Sequence, residues 1–102
     1  MGKDLEHLEE LYSKYKSQLP QELQSLKWES IVLEFVELHK NGKTYEYVRL
    51  RGMIGRRWKV IESHPVNKAD IKRLKEQVYL YRLVKALGKA IENLTALKMS
   101  MI

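Results

Sequence analysis

The chain contains no cysteine, only two prolines, five glycines and a single phenylalanine among 102 residues. The missing cysteine excludes disulfides, thiolate metal sites and cysteine nucleophiles together. No stretch approaches the ~20 apolar residues that a membrane span needs. The opening residues, Met1-Gly2-Lys3-Asp4-Leu5-Glu6, lack the apolar run of a signal peptide. The expected location is therefore the cytoplasm, with no membrane partner. His7, His39 and His64 have no ligand spacing, so no metal site is expected. No phosphate-binding loop and no Ser-His-Asp set is present, so neither an enzyme nor a cofactor is expected.

Acidic residues are also scarce in one place. Residues 49–59 read Arg-Leu-Arg-Gly-Met-Ile-Gly-Arg-Arg-Trp-Lys, with five positive charges and no acid. The formal net charge of the whole chain is +6, so this stretch holds nearly all of the excess. Residues 1–48 carry six basic and nine acidic residues, and residues 60–102 carry eight and four. The halves thus differ in sign, as in a two-faced molecule or in subunits that pair head to tail. The blander reading is that unlike halves attract within one fold.

What is present suits one ordered domain, residues 1–102, with 44% hydrophobic and 31% charged residues. Leu5, Leu8, Tyr12, Tyr15 and Leu19 recur at spacings of three and four and predict a helix over 4–19, with Leu11 widening its stripe. Pro20 stops it, and one short helical turn is expected over 21–26. From Ile31 the chain becomes β-branched and aromatic, and Asn41-Gly42 separates two such runs. Asn-Gly is a strong hairpin signal, because a type I′ turn needs positive φ at both central residues. A two-residue turn pairs Leu38 with Tyr45, Val36 with Tyr47, Phe35 with Val48, Glu34 with Arg49 and Leu33 with Leu50. It also sets Glu37 against Glu46, a like-charge pair that calls for a basic neighbour or a bulge.

Gly52 and Gly55 are read as bracketing a second turn, followed by a third strand from Arg56 to Glu62. Asn67 is read as a helix N-cap with Asp70 three residues on, opening a long helix from Lys68 to about Lys98. Its stripe is Ile71, Leu74, Val78, Tyr81, Val84, Leu87, Ile91 and Leu94, broadened by Leu80, Leu83, Ala90 and Leu97. The expected fold class is α+β: a three-stranded antiparallel meander flanked by an N-terminal helix and a long C-terminal helix. Helices this amphipathic need a further surface, and a homodimer through them is expected.

The basic stretch is the candidate site. Arg49, Arg51, Arg56, Arg57 and Lys59 suit phosphates, and Met53, Ile54 and Trp58 suit a groove floor or a base stack. Trp58 could also receive a cation–π contact from Arg49. Lys68, Lys72 and Lys75, at i, i+4 and i+7, extend the footprint along one helix face. The expected partner is DNA or RNA, bound without strong sequence specificity. Against this stands a protective role, in which Met53 and Ile54 fold inward and the arginines guard a sheet edge. A protein partner received by the apolar helices and the sheet edge is the rival function. The tyrosines, Tyr45 and Tyr47 on one strand face and Tyr12, Tyr15, Tyr79 and Tyr81 on helices, read as core and interface packing.

The layout resembles a group of small proteins from hyperthermophilic archaea and their viruses and plasmids. The matching parts are the hairpin Asn41-Gly42-Lys43-Thr44-Tyr45-Glu46-Tyr47-Val48, the basic run Arg56-Arg57-Trp58-Lys59 and the helix after Pro65. A cysteine-bearing variant of the pattern exists, and this chain lacks those cysteines. The resemblance implies an acidic helix, a hairpin and a long basic helix, and it carries no activity to transfer. For a viral relative the location becomes the host cell interior.

Overall fold

The protein is described by a computed structural model covering residues 2–101. Helix α1 spans Gly2–Ser17 and the short α2 spans Gln21–Gln24. Strands β1 (Ser30–Lys40), β2 (Lys43–Ile54) and β3 (Arg57–Pro65) form one antiparallel sheet in the order β1-β2-β3. A 3₁₀ turn over Val66–Lys68 leads to helix α3, Ile71–Ser100. The α+β class and its α-β-β-β-α order are as the sequence predicts.

The first hairpin follows from Asn41-Gly42, whose φ angles are 53° and 73°, the two left-handed residues of a type I′ turn. The turn fixes the register, so all the pairs named above form, Glu37 opposite Glu46 included. No bulge relieves that pair. Both carboxylates are exposed, and His39 lies 4.0 Å from Glu37 while its Nδ1 bonds the Thr44 hydroxyl across the strands.

The second turn corrects the sequence reading. Its central residues are Gly55 and Arg56, with φ of 57° and 64°, and Ile54 pairs with Arg57 across it. Gly52 is not part of the turn; it lies buried inside β2, under the indole of Trp28. A bulge then interrupts β3: Leu50 pairs with Glu62 and Arg51 with Val60, leaving Ile61 as the extra residue. The bulge lets Ile61 pack on the core, while Glu62 bonds Arg73 of α3.

The start of the long helix differs as well. The chain at Ala69 is extended (φ −87°, ψ 141°), which separates the 3₁₀ turn from α3. Asp70 is the N-cap, its side chain accepting from the Arg73 N–H at 3.1 Å. Asn67 therefore caps nothing here, and Lys68 precedes the helix.

The core lies between one face of the sheet and the helices. Leu19, Leu23, Trp28, Ile31, Leu50, Val78, Tyr81 and Val84 form it, with Ile54 and Ile61 packed against it. The Tyr81 hydroxyl, buried, donates to the Trp28 carbonyl. Beyond the sheet α1 and α3 run antiparallel as a two-helix arm: Tyr12 lies against Gly88, and Leu5 borders Leu94, Leu97 and Met101. The molecule measures 68 × 26 × 16 Å. No described helix is long and apolar enough to cross a membrane.

Candidate nucleic-acid interface

Side chains alternate across a strand, so the register sorts the basic stretch by face. Val48, Leu50, Gly52 and Ile54 of β2 face the helices. Tyr45, Tyr47, Arg49, Arg51 and Met53 face the other way, beside Val32, Glu34, Val36 and Leu38 of β1 and Trp58 and Val60 of β3. Among the described residues none of the helices α1–α3 covers this second face, and the 3₁₀ turn borders it at Tyr45 and Tyr47. Trp58 is 41% and Val60 51% exposed.

The two apolar residues of the turn are thus divided. Ile54 packs against the core, and Met53 lies half-buried on the open face, paired with Trp58. Neither is an apolar tip, since Gly55 and Arg56 occupy the tip itself. The expectation of a Met53-Ile54 wedge is corrected accordingly: alternation sends neighbours to opposite faces.

Arg51 is fixed on both sides. Its Nη1 bonds Glu34 at 2.6 Å, and its guanidinium lies over the Trp58 ring, 5.8 Å from the centroid. The cation–π partner of Trp58 is therefore Arg51, two residues along the face from Arg49. This clamp gives the indole a defined pose on an otherwise open surface. Arg49, Arg56, Arg57 and Lys59 make no ion pair among the described residues. Arg56 projects from the turn, while Arg57 and Lys59, opposite Ile54 and Gly52, flank it on the helix side. All three are exposed.

The helix lysines lie elsewhere. Lys72 and Lys75 are exposed on α3, in the layer behind the sheet, next to Glu76 and Tyr79. With Lys68 outside the helix, the expected i, i+4, i+7 face is not formed: Lys68 instead borders a concavity with Tyr45 and Tyr47 at the far end of the sheet, while Lys72 and Lys75 lie on α3.

Between sheet and helix, Glu62 holds the layers together. It accepts from Arg73 at 2.8 Å and lies 2.6 Å from His64 Nε2. Partial burial works to raise its carboxyl, but the bonds and charges of Arg73 and His64 outweigh that and leave it below the ordinary carboxylate value. The Glu62 bond in turn raises the Arg73 guanidinium. His64, read from sequence as a turn residue before Pro65, is a strand residue of this cluster. No group of three or more metal-ligating side chains exists among the described residues.

Sequence reasoning missed the roles of Glu34 and Trp28. Glu34 was separable from Glu37 and Glu46 by alternation, and its pairing with Arg51 follows from the diagonal neighbour across the hairpin. Trp28 had no local signal at all. Tyr45 and Tyr47, expected in packing, instead lie on the open face, exposed and half-buried respectively. Comparison with protein-family models, with curated proteins and with solved structures returns no match.

Proposed function

We propose that the chain binds nucleic acid, with little sequence preference, through the open face of its sheet and the basic turn beside it. The observation that carries this reading is a set of cations, unpaired among the described residues, around the turn end of the sheet: Arg49 on the uncovered face, Arg56 at the tip, and Arg57 and Lys59 on the helix side. These four are free to neutralise phosphates, and Trp58, on the uncovered face, is held beside Arg51. A stacked base contributes roughly 1–3 kcal/mol on such an aromatic platform.

The dimensions are compatible with a duplex. β1 pairs with β2 as far as Met53, so only the turn Ile54–Arg57 projects past the three-stranded sheet, and a turn of that size fits the ~12 Å major groove. Arg56 at the tip and Arg57 and Lys59 along the side would meet the backbones. Arg51, held by Glu34, serves to position Trp58, and Met53 lies on the floor of the contact. Ile54 belongs to the core in this reading, Lys72 and Lys75 lie off the surface, and Lys68 borders its far end beside Tyr45 and Tyr47.

The test is a titration of labelled duplex DNA, single-stranded DNA and RNA at two salt concentrations. The parent protein is expected to bind at low salt and to lose affinity steeply as salt rises. Arg56→Ala with Arg57→Ala should weaken binding and reduce the salt slope by about two. Equal binding by parent and double variant on every probe would overturn the site.

A further inference from the structure

The open-face row of β2 is Tyr45, Tyr47, Arg49, Arg51 and Met53, with Trp58 beside Met53. Neighbours in the row stand about 6.8 Å apart along the strand, so the row from Tyr45 to the level of Trp58 measures ~27 Å. Aromatic rings mark both ends, and the two arginines lie between them. Tyr45 is 43% exposed, about as much as Trp58.

The two ends are built differently. At the turn end the Arg51 guanidinium lies over the Trp58 ring. At the hairpin end the 3₁₀ turn stands beside the sheet and makes a concavity with Tyr45 and Tyr47, edged by Pro65, Asn67 and Lys68. Its volume, about 630 Å³, lies within the ~300–1,000 Å³ of small-molecule sites, so a nucleobase fits. Asn67 and Lys68 are exposed at its edge; the amide can pair with a base edge, and the ammonium can neutralise a phosphate. Glu46 borders the concavity too, which suits the amino groups of a base and leaves Lys68 as the place for a phosphate. On the open face itself Glu34 is the one carboxylate among the described strand residues, and Arg51 engages it.

A duplex cannot use these rings. A paired base offers only its edge, at the floor of a groove. The turn Ile54–Arg57 can enter a groove, but the face behind it is three strands wide, about 10 Å before side chains are counted, and cannot follow. Trp58, Tyr47 and Tyr45 can meet bases face to face only where those bases are unpaired and splayed out.

We propose that the substrate of this face is an unpaired strand of DNA or RNA laid along β2, with one base on Trp58, phosphate over Arg49 and a second base in the recess of Tyr45 and Tyr47. The inference rests on the nucleic-acid reading above and narrows it. A row of ~27 Å accommodates on the order of four nucleotides, the low end of site sizes for single-strand-binding folds. Every base has a face to stack, so such a site has little sequence preference.

The test uses a labelled single-stranded DNA of about 12 nucleotides, the same sequence as RNA, and its blunt DNA duplex, all at low salt. The better of the two single strands is expected to bind about tenfold more tightly than the duplex. Tyr45→Ala with Tyr47→Ala should lower single-strand affinity about ten- to a hundredfold. It should leave duplex affinity and the salt slope as they were, because no cation is removed. Tyr45→Phe with Tyr47→Phe keeps the rings and should bind as the parent does. A second readout leaves the recess intact: the single strand should quench indole emission, and Trp58→Phe should abolish the quenching, because Trp28 is buried. A parent that binds none of the three probes overturns the nucleic-acid reading and this inference together. Three results would overturn this inference alone: duplex bound as tightly as the better single strand, a Tyr45→Ala, Tyr47→Ala chain with unchanged single-strand affinity, or indole emission that neither strand alters.

Discussion

The indole of Trp28 lies on the backbone of Gly52 so closely that a Cβ at Gly52 would stand 2.5 Å from the ring carbons Cδ2 and Cε3. Ile61 Cδ1 closes the same space at 2.8 Å. The contact seals the end of the core from which the basic turn projects, and it explains a glycine in the middle of a strand, where glycine otherwise weakens pairing.

Gly52→Ala is accordingly expected to be among the most damaging single changes, costing about 2–4 kcal/mol through overpacking. Gly55→Ala meets open space but keeps a φ of +57°, so its cost should be nearer ~1 kcal/mol. Urea midpoints of the two variants check the order. Equal losses would contradict the close-packing explanation.

Tyr81→Phe should cost about 1–2 kcal/mol, because it leaves the Trp28 carbonyl without its buried donor. Burial raises the Tyr81 phenol, and ionising it would also give up the bond it donates to Trp28. A phenol raised on folding contributes stability that is whole below the ordinary tyrosine value near 10 and falls as pH rises beyond it. The parent should therefore lose stability in alkali more steeply than Tyr81→Phe, a difference that denaturant titrations at pH 9 and 11 would read.

Glu62→Gln tests the acid limb. The folded Glu62 carboxyl lies below its ordinary 4.5, so its contribution is present above that value and is lost as pH falls through the folded one. Both partners are partly solvated, at 42% for the Arg73 side chain and 30% for Glu62, which limits the effect to about 1 kcal/mol. The variant should melt below the parent at pH 7 and together with it near pH 3. A gap that persists in acid would place the effect in packing.

Glu34→Gln should strengthen nucleic-acid binding by about two- to fivefold, since it removes the one negative charge beside Arg51 and leaves that guanidinium free for a phosphate. The same change should loosen Trp58, seen as altered indole fluorescence. Weaker binding in this variant would mean that the Trp58 pose matters more than the added cation.

Much of the fold was legible because local chemistry decided it. Asn41-Gly42 admits one common turn, that turn admits one register, and the register settles each cross-strand pair down to Glu37 beside Glu46. Gly52 was misread for the opposite reason. Its cause is Trp28, twenty-four residues away, and two glycines near a basic run look locally like a bracketed turn. Asn67 and Asp70 are equally good caps on paper; the extended backbone at Ala69 chose between them. In the site, alternation alone places Arg57 with Lys59 on one face, but the bulge at Ile61 and the left-handed Arg56 were not written in residue type. The long helix read as one broad stripe, and only packing divides it: Leu74, Val78, Tyr81 and Val84 are buried, while Leu97 stays exposed.

The arm reaching past the sheet has a hydrodynamic consequence. A compact chain of this length would have a radius of gyration near 13 Å, whereas the Cα atoms here give 17.9 Å. Such a rod tumbles and diffuses as though it were heavier. A single chain will leave a sizing column early and imitate a larger globular species, so an elution volume read against spherical standards will overstate the number of subunits.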